Sequence, residues 1–357
     1  MLFWLGVALV CSMPVVLLVY SIYLYVRIRV TYLHFLVRIF QEKPLFIVPR
    51  GQPLPEAEEV RFASADGLTL SGCYLRAVTP RRGVVLFGLE FGSNCWACRS
   101  YCEHLIENGF DVFAFESRNQ GSSDALPGYD PLQWVTEYEV RDTEAALAYL
   151  KGRPDADPRG VGFFGISKGA GAGLVAAGRD PYVRCCVTDG VFATYTTLIP
   201  YMRQWFRIYN NRYAVQGLIP GWFYGMIGMV GIRQIERERR CRFSHLEKHL
   251  PRLAPRPLLM IHGKGDTYIK PEMAARLFEF AGSPKEFWLV ENAKHNQALQ
   301  VAGEEYRQRV LQFFEKHLAE VISQESGVRS RQSANSEPRY SRTEPDRPLI
   351  TLRLFAP

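Results

Sequence analysis

Charged residues are absent from the beginning of this 357-residue chain. From Leu2 to Val26 there is no Asp, Glu, Lys or Arg, and a run of that length is sufficient to cross a bilayer as a helix. No basic residue precedes the run and no small-residue cleavage site follows it, which argues against a cleaved signal peptide. A buried core helix is the other interpretation that the composition leaves open.

The residues at the end of this apolar run indicate an orientation. Three tyrosines lie there, as in an interfacial aromatic belt, and three arginines follow them: Tyr20, Tyr23, Tyr25, Arg27, Arg29 and Arg38. The positive-inside rule then places the bulk of the chain in the cytoplasm. We predict a single-pass membrane protein with its anchor at 1–29 and its membrane contact at 2–26.

The chain also lacks the signatures of nucleic-acid and cofactor binding. Its net charge is +7, but it has no zinc-finger spacing, no RNP-like segment and no basic region with heptads. It contains no glycine-rich phosphate loop, no dinucleotide fingerprint and no metal-ligand cluster. We therefore expect no nucleic-acid partner, no cofactor and no metal.

The cysteines do not form a recognisable framework. There are eight of them, and the domain that holds all but Cys11 is large enough to be stable without disulfides. The pair Cys95-x-x-Cys98 has no second pair or histidine at zinc spacing. We expect free thiols.

Strand-like and helix-like segments alternate from about Val60 to Leu318, which predicts an α/β protein with a mostly parallel central sheet covered by helices on both faces. Residues 30–58 are typical of an amphipathic segment and a linker. The main domain is expected at 59–320, with an aromatic-rich helical cap inserted at about 192–245. The tail at 321–357 has the composition of a disordered segment.

One motif inside the alternating region carries chemistry. The predicted strand ending at Phe164 leads into Gly165-Ile166-Ser167-Lys168-Gly169 and then into a helix of small residues. This G-x-S-x-G sequence between a strand and a helix is typical of a nucleophile elbow. A sharp turn holds the serine in a strained backbone conformation, and the start of the helix directs N–H groups and partial positive charge at the site. Ser167 is therefore the predicted nucleophile.

A serine nucleophile needs a base, and the base needs a carboxylate that orients it. Asp266 follows one later strand and His295 follows the next, so both lie in loops that open on the same edge of the sheet as the elbow. His295 would take the proton from Ser167, and Asp266 would orient the imidazole. Asp189, which follows the strand after the elbow, is an alternative acid. His262 is interpreted as a structural histidine.

These motifs resemble those of the α/β-hydrolase superfamily, in particular its serine aminopeptidase-like and membrane-anchored acyl hydrolase branches. The resemblance covers about residues 60–318. The matching segments are Val84-Val85-Leu86-Phe87, Arg118-Asn119-Gln120-Gly121-Ser122-Ser123, the elbow, His262-Gly263-Lys264-Gly265-Asp266 and Ala293-Lys294-His295-Asn296. The sequence Gly-Ile-Ser-Lys-Gly is also similar to the elbow of acyl-CoA thioesterases and bile-acid acyltransferases.

The resemblance implies an oxyanion hole made of two backbone N–H groups, from Lys168 and Phe91. The family usually has His-Gly at the start of the loop after the third strand, whereas this chain has Gly88-Leu89-Glu90-Phe91-Gly92. A carboxylate at Glu90 would oppose a developing oxyanion unless it were turned away or paired.

Together these features predict a membrane-anchored serine hydrolase that cleaves an ester or thioester bond of a small or lipid-like acyl substrate through an acyl-enzyme. Two alternatives stay open at this point. The same triad cleaves amides in aminopeptidases and amidases, and a non-catalytic membrane protein of the same fold would account for the altered oxyanion loop.

Overall fold

The computed structural model describes residues 2–43, 48–209 and 221–319. The predicted disordered tail at 321–357 and the part of the predicted cap at 210–220 lie outside the described residues. The linker predicted within 30–58 falls partly on residues 44–47, which also lie outside them.

The described residues form an eight-stranded sheet with the strand order β1-β2-β4-β3-β5-β6-β7-β8. Two antiparallel pairings, β1 with β2 and β2 with β4, begin the sheet, and every pairing from β4 onward, through β3, β5, β6 and β7 to β8, is parallel. The strands are β1 (Glu58–Ala63), β2 (Thr69–Leu75), β3 (Gly83–Gly88), β4 (Phe110–Phe115), β5 (Val161–Ile166), β6 (Val183–Asp189), β7 (Leu258–Gly263) and β8 (Lys285–Val290). The predicted α/β architecture is confirmed.

Helices pack on both faces of the sheet. The α-helices of the described residues are α1 (Leu2–Gln41), α2 (Cys98–Glu107), α3 (Glu137–Gly152), α4 (Ser167–Arg179), α5 (Thr194–Tyr209), α6 (Gly221–Arg239), the short α7 (Leu246–His249), α8 (Pro271–Glu279) and α9 (Ala298–Phe314). Side chains of a strand alternate between the faces, so Val84 and Leu86 pack with α3 and α4, whereas Val85 and Phe87 pack with α2 and α9. Every residue of β3, β4, β5 and β7 is buried, as expected for strands covered on both sides.

The N-terminus of α3 differs from the sequence-based expectation. The periodicity predicts a helix from Trp134, but the helix begins at Glu137 because Thr136 is its N-cap. The Thr136 hydroxyl accepts a hydrogen bond from the N–H of Tyr138, and the Glu139 carboxylate accepts one from the N–H of Thr136. This capping box fixes the first turn of α3.

The N-terminal helix does not end at the predicted anchor boundary of residue 29. It continues to Gln41, and its last turns are buried against the cap helix α6. Gly231 of α6 lies so close to α1 that a Cβ there would be 2.8 Å from the side chain of Leu36. Phe40 stacks on Trp134 with ring centroids 4.2 Å apart, and the Trp134 indole donates a hydrogen bond to the Phe40 carbonyl. The C-terminal part of α1 is therefore part of the domain core.

The preceding part of α1 is exposed and apolar. The segment Cys11–Thr31 has a mean hydropathy of 1.7, and only 6% of its most apolar window is buried. This helix is long and apolar enough to span a membrane, although a signal sequence would have the same properties. The segment overlaps the predicted contact at 2–26.

Candidate active site

Ser167 lies at the sharp turn between β5 and α4. Its φ is +50°, in the left-handed region that is costly for a residue with a side chain. The glycines on either side are required by close contacts. A Cβ at Gly165 would lie 2.6 Å from the backbone of Ala170, and one at Gly169 would lie 2.3 Å from the carbonyl oxygen of Leu89. The strained turn thus brings the serine next to the loop that follows β3.

The three residues predicted as a triad are brought together. Ser167 Oγ is 3.1 Å from Nε2 of His295, and Nδ1 of His295 is 2.7 Å from Oδ2 of Asp266. The Asp266 and His295 side chains are almost completely buried. Such contacts between nucleophile, base and carboxylate are within hydrogen-bond distance and have the order that acyl transfer requires.

Backbone donors hold the Asp266 carboxylate in place. Its other oxygen, Oδ1, accepts hydrogen bonds from the N–H groups of Tyr268 and Ile269. His262 lies beside it at the end of β7 and donates from Nε2 to the carbonyl of Ile269, at 2.8 Å. Burial lowers the pKa of His262 and so favours its neutral ring. His262 therefore supports the Asp266 loop.

Asp189, the alternative acid, has a different environment. It is fully buried at the end of β6, and its Oδ2 accepts a hydrogen bond from the hydroxyl of Tyr306, at 3.0 Å. Burial raises the pKa of Asp189 to about 7, and the negative charges of Glu90 and Asp266 act in the same direction. The structure places Asp266, not Asp189, against the imidazole of His295.

Glu90 is turned into the protein interior and is paired there. Its carboxylate accepts hydrogen bonds from the Asn296 side-chain amide, at 2.8 Å, and from the Tyr101 hydroxyl, at 3.2 Å. Burial raises the pKa of Glu90, whereas these two hydrogen bonds act to lower it. Because Asn296 directly follows His295, the pairing joins the loop after β3 to the loop that carries the histidine.

The side chain of Lys168 takes part in a buried network that the sequence analysis missed. Its ammonium donates to Glu139, at 2.9 Å, and to the carbonyl of Leu132, at 2.6 Å. It also lies 5.2 Å from the centre of the Phe91 ring. Tyr129 completes the network with a 2.5 Å hydrogen bond to Glu139. The pattern Thr136-x-x-Glu139 is recognisable in the sequence as a capping box, but nothing in it identifies Lys168 as a partner.

The two residues predicted to form the oxyanion hole, Phe91 and Lys168, lie in neighbouring segments. Phe91 lies in a turn closed by a hydrogen bond from the N–H of Ser93 to the carbonyl of Glu90. Lys168 lies in the first turn of α4, where backbone N–H groups have no acceptor within the helix. The contact between Gly169 and Leu89 makes these two segments neighbours.

Aromatic rings surround the imidazole. The rings of Tyr268 and Phe192 lie 5.3 Å and 6.2 Å from His295. Phe192 contacts Trp134, on which Phe40 of α1 stacks. A continuous series of aromatic contacts therefore connects the N-terminal helix with the candidate base.

The other residues of the sequence motifs lie outside the triad. Arg118 is completely buried and forms ion pairs with Asp142 and Asp66. The cysteines are unpaired, including Cys95 and Cys98, which are buried. Within the described ranges, no group of three or more His, Cys, Asp or Glu residues is arranged to hold a metal ion.

Comparisons with known proteins place this architecture among the α/β hydrolases. No family model matches the chain. It is 26% identical over 268 residues to the uncharacterized protein YfhR of Escherichia coli O157:H7, covering 72% of this chain and 80% of that protein. It is 25% identical over 295 residues to the polyketide transferase ATR5 of Stachybotrys chlorohalonatus, covering 73% and 97%.

Solved structures show the same fold. The Pyrococcus furiosus esterase Pf2001 superposes with a TM-score of 0.57 and 21% identity, covering 78% of this chain and all of that one. The α/β hydrolase GrgF of Penicillium sp. sh18 superposes with a TM-score of 0.58 and 19% identity, covering 74% and 100%. At such identities the likeness establishes the fold, and the chemistry has to be argued from the site.

Proposed function

Because this chain has the α/β-hydrolase fold, we propose that it is a serine hydrolase that cleaves ester or thioester bonds through an acyl-enzyme, held at a membrane by its N-terminal helix. The observation that carries this proposal is the connected series Ser167–His295–Asp266, with distances of 3.1 Å and 2.7 Å. The similarity to an esterase and to a polyketide transferase supports chemistry on acyl groups.

In the first half-reaction, Ser167 Oγ attacks the substrate carbonyl carbon while Nε2 of His295 removes the hydroxyl proton. Asp266 accepts the hydrogen bond from Nδ1 and stabilises the imidazolium that forms. The backbone N–H groups of Lys168 and Phe91 stabilise the oxyanion. Collapse of the tetrahedral intermediate expels the alcohol or thiol, which takes the proton from His295, and leaves an ester on Ser167.

In the second half-reaction, His295 removes a proton from water, and the hydroxide attacks the ester carbonyl. The same donors stabilise the second oxyanion. His295 then returns the proton to Ser167 as the carboxylic acid leaves. The inward position of Glu90 supports this mechanism, because its carboxylate faces Asn296 and Tyr101 rather than competing with the oxyanion donors.

The exposed apolar part of α1 supports anchoring in a membrane. Met13, Val16 and Val19 are each about 60% exposed, and a helix with such residues around its surface is stable in lipid rather than in water. The buried contacts of Leu36 and Phe40 with the cap keep the same helix attached to the catalytic domain. By the positive-inside rule, Arg27 and Arg29 place that domain in the cytoplasm.

The substrate class follows from the surroundings of the site. Apolar rings flank His295, and the helix that we place in the membrane packs on the cap. An acyl chain presented at the bilayer surface would therefore meet apolar side chains on its route to Ser167. This arrangement favours lipid-like acyl esters or thioesters over charged peptides.

The decisive experiment is labelling of the full chain with a fluorophosphonate probe, in membranes and in neutral detergent. We expect wild-type protein to be labelled and Ser167→Ala to be unlabelled. Ser244→Ala is a control, since Ser244 is a buried serine hydrogen-bonded to Glu137, outside the triad. A folded wild-type protein that reacts no faster than Ser167→Ala would refute the mechanism and favour a non-catalytic role.

A further inference from the structure

A cleft lies away from the triad, between the start of α3 and the C-terminal half of α6. Its volume is about 1280 Å³, larger than the 300–1,000 Å³ of a usual small-molecule site. None of the residues Ser167, Asp266 and His295 borders it. Five arginines and two glutamates do: Arg141, Arg233, Arg237, Arg240, Arg242, Glu137 and Glu236.

The two carboxylates of the cleft are engaged in local structure. Glu137 accepts hydrogen bonds from Arg179 and from the hydroxyl of Ser244. Glu236 accepts one from the backbone N–H of Phe243. These acids therefore hold the walls of the cleft and do not pair with its arginines.

Most of the arginine side chains that border the cleft are not held by contacts of this kind. Within the described part of the chain, the guanidinium groups of four of them form no hydrogen bond or ion pair: Arg141, Arg233, Arg240 and Arg242. All four are exposed. The cleft therefore presents several free fork-shaped donors and an excess of positive charge.

Helix electrostatics do not account for this cluster. Basic residues in the last turn of α6 are favourable for the helix dipole, which is sufficient reason for Arg237. Arg141 comes from α3, and Arg242 follows α6. Two separate segments, α3 and α6 with the residues that directly follow it, thus direct guanidinium groups to one concave surface.

Aromatic rings provide a rigid wall in the same cleft. Tyr195 and His245 stack with their centroids 3.7 Å apart and their planes 4° from parallel. Burial lowers the pKa of His245, so this ring adds little charge near neutral pH. The positive charge therefore comes from the arginines, whose planar groups bind phosphate oxygens in pairs.

We propose that this cleft is a binding site for a phosphate-bearing ligand, separate from the hydrolytic site. The ligand would be held through a phosphate group bound by several guanidinium groups. A phosphate group of this kind has two sources. One is a soluble phosphorylated molecule, and the other is the headgroup of an anionic lipid.

The position of the cleft relative to α1 makes both sources accessible. Gly231 contacts Leu36, and Arg239 contacts Gln41, so α6 runs in the same direction as α1. Leu36 is five residues beyond Thr31, the end of the apolar segment, which corresponds to about 8 Å along a helix. Arg233 is therefore roughly 10 Å along the helix axis from the end of this apolar segment, within reach of headgroups and of solvent.

The test is a calorimetric titration of the full chain in neutral detergent with inorganic pyrophosphate, at an ionic strength of about 0.15 M. We expect saturable binding that Arg233→Gln/Arg242→Gln weakens by roughly tenfold or more, since each lost guanidinium removes charge-assisted hydrogen bonds. The matched control is Arg61→Gln/Arg276→Gln, two exposed arginines outside the cleft. Binding to this control is expected to equal that of the wild type.

Two results would overturn the proposal: no saturable binding by folded wild-type protein, or equal weakening in the cleft and control variants. The triad takes no part in this binding, so Ser167→Ala should bind pyrophosphate like the wild type. Failure of the hydrolase proposal is thereby distinguishable from failure of this one.

The same titration in nanodiscs distinguishes the two sources. If pyrophosphate binds equally in phosphatidylcholine and phosphatidylglycerol discs, the ligand is soluble. If phosphatidylglycerol suppresses the binding, its headgroup occupies the cleft. Each result supports a phosphate site, whereas absence of binding in both kinds of disc contradicts it.

Discussion

Replacement of Lys168 by methionine tests the buried network beneath the candidate oxyanion hole. Lys168 and Glu139 have only 4% and 2% of their side chains exposed, and their charged atoms are 2.9 Å apart. Burial would raise the pKa of Glu139, but the charge of Lys168 and the hydrogen bonds from Tyr129 and Thr136 outweigh it and lower the pKa. Lys168→Met therefore leaves a buried carboxylate without its counter-charge.

The cost of that change can be bounded from the structure. Removing one partner of a buried ion pair destabilises a protein by about 3–5 kcal/mol, a large part of a typical unfolding free energy of about 5–15 kcal/mol. Three donor groups on Tyr129 and Thr136 still reach Glu139, so we expect a loss near the lower end of that range. The double variant Lys168→Met/Glu139→Gln removes both charges, and glutamine retains the capping box, so its loss should be smaller.

Urea unfolding at pH 7 in neutral detergent, followed by tryptophan fluorescence, measures these losses. The matched control is the exposed pair of Lys264 and Glu291, with 2.6 Å between charged atoms but 55% and 69% of the side chains exposed. Lys264→Met should cost no more than about 1 kcal/mol. A Lys168→Met protein as stable as the double variant, or as Lys264→Met, would refute the reasoning.

Three further predictions concern the same site. Burial raises the pKa of Asp189 to about 7, so the folded state binds its proton more tightly than the unfolded state. Its contribution to stability should be lost as pH rises from about 4 to 7, and Asp189→Asn should remove up to about 4 kcal/mol of that pH dependence in thermal or urea unfolding. Glu90→Ala deprives Asn296 of its acceptor and should reduce kcat for a short-chain ester by about tenfold or more. Glu90→Gln retains an acceptor, so most of the wild-type kcat should be restored. Equal losses of kcat in the two variants would contradict a positioning role for Glu90. Gly169→Ala should reduce kcat about 100-fold, because the new Cβ would meet a carbonyl oxygen at 2.3 Å. The control Gly152→Ala should leave kcat unchanged, because the space around Gly152 is open.

Much of the fold could be predicted because local sequence signals agreed with the tertiary contacts. The buried strands are short apolar runs, and the turn at Asp66-Gly67 pairs β1 with β2, with Gly67 at a φ of +83°. The elbow could be predicted because Gly165 and Gly169 are required by sterics that any sharp strand–helix turn imposes. Helix ends were less predictable, as at Thr136, where a capping box rather than apolar periodicity sets the boundary.

The sequence by itself determined the residue types and the order of the candidate triad. It left two acids open, because Asp189 ends one parallel strand and Asp266 follows another, and the ends of these strands meet at one edge of the sheet. Only the packing decided between them, by placing Asp266 2.7 Å from His295 and Asp189 beside Tyr306. Contacts of this kind join residues far apart in the chain, so no local pattern encodes them.

The remaining features divide in the same way into those that the sequence determines and those that the tertiary structure decides. Sequence alone identified the apolar N-terminal helix, because its composition excludes charge over a long run. Only the tertiary structure could show that Phe40 of this helix packs against the cap, that Glu90 faces Asn296, and that the side chain of Lys168 is paired with Glu139. Composition and periodicity report how much apolar surface a segment carries, whereas the partner of each buried group is decided when the segments pack together.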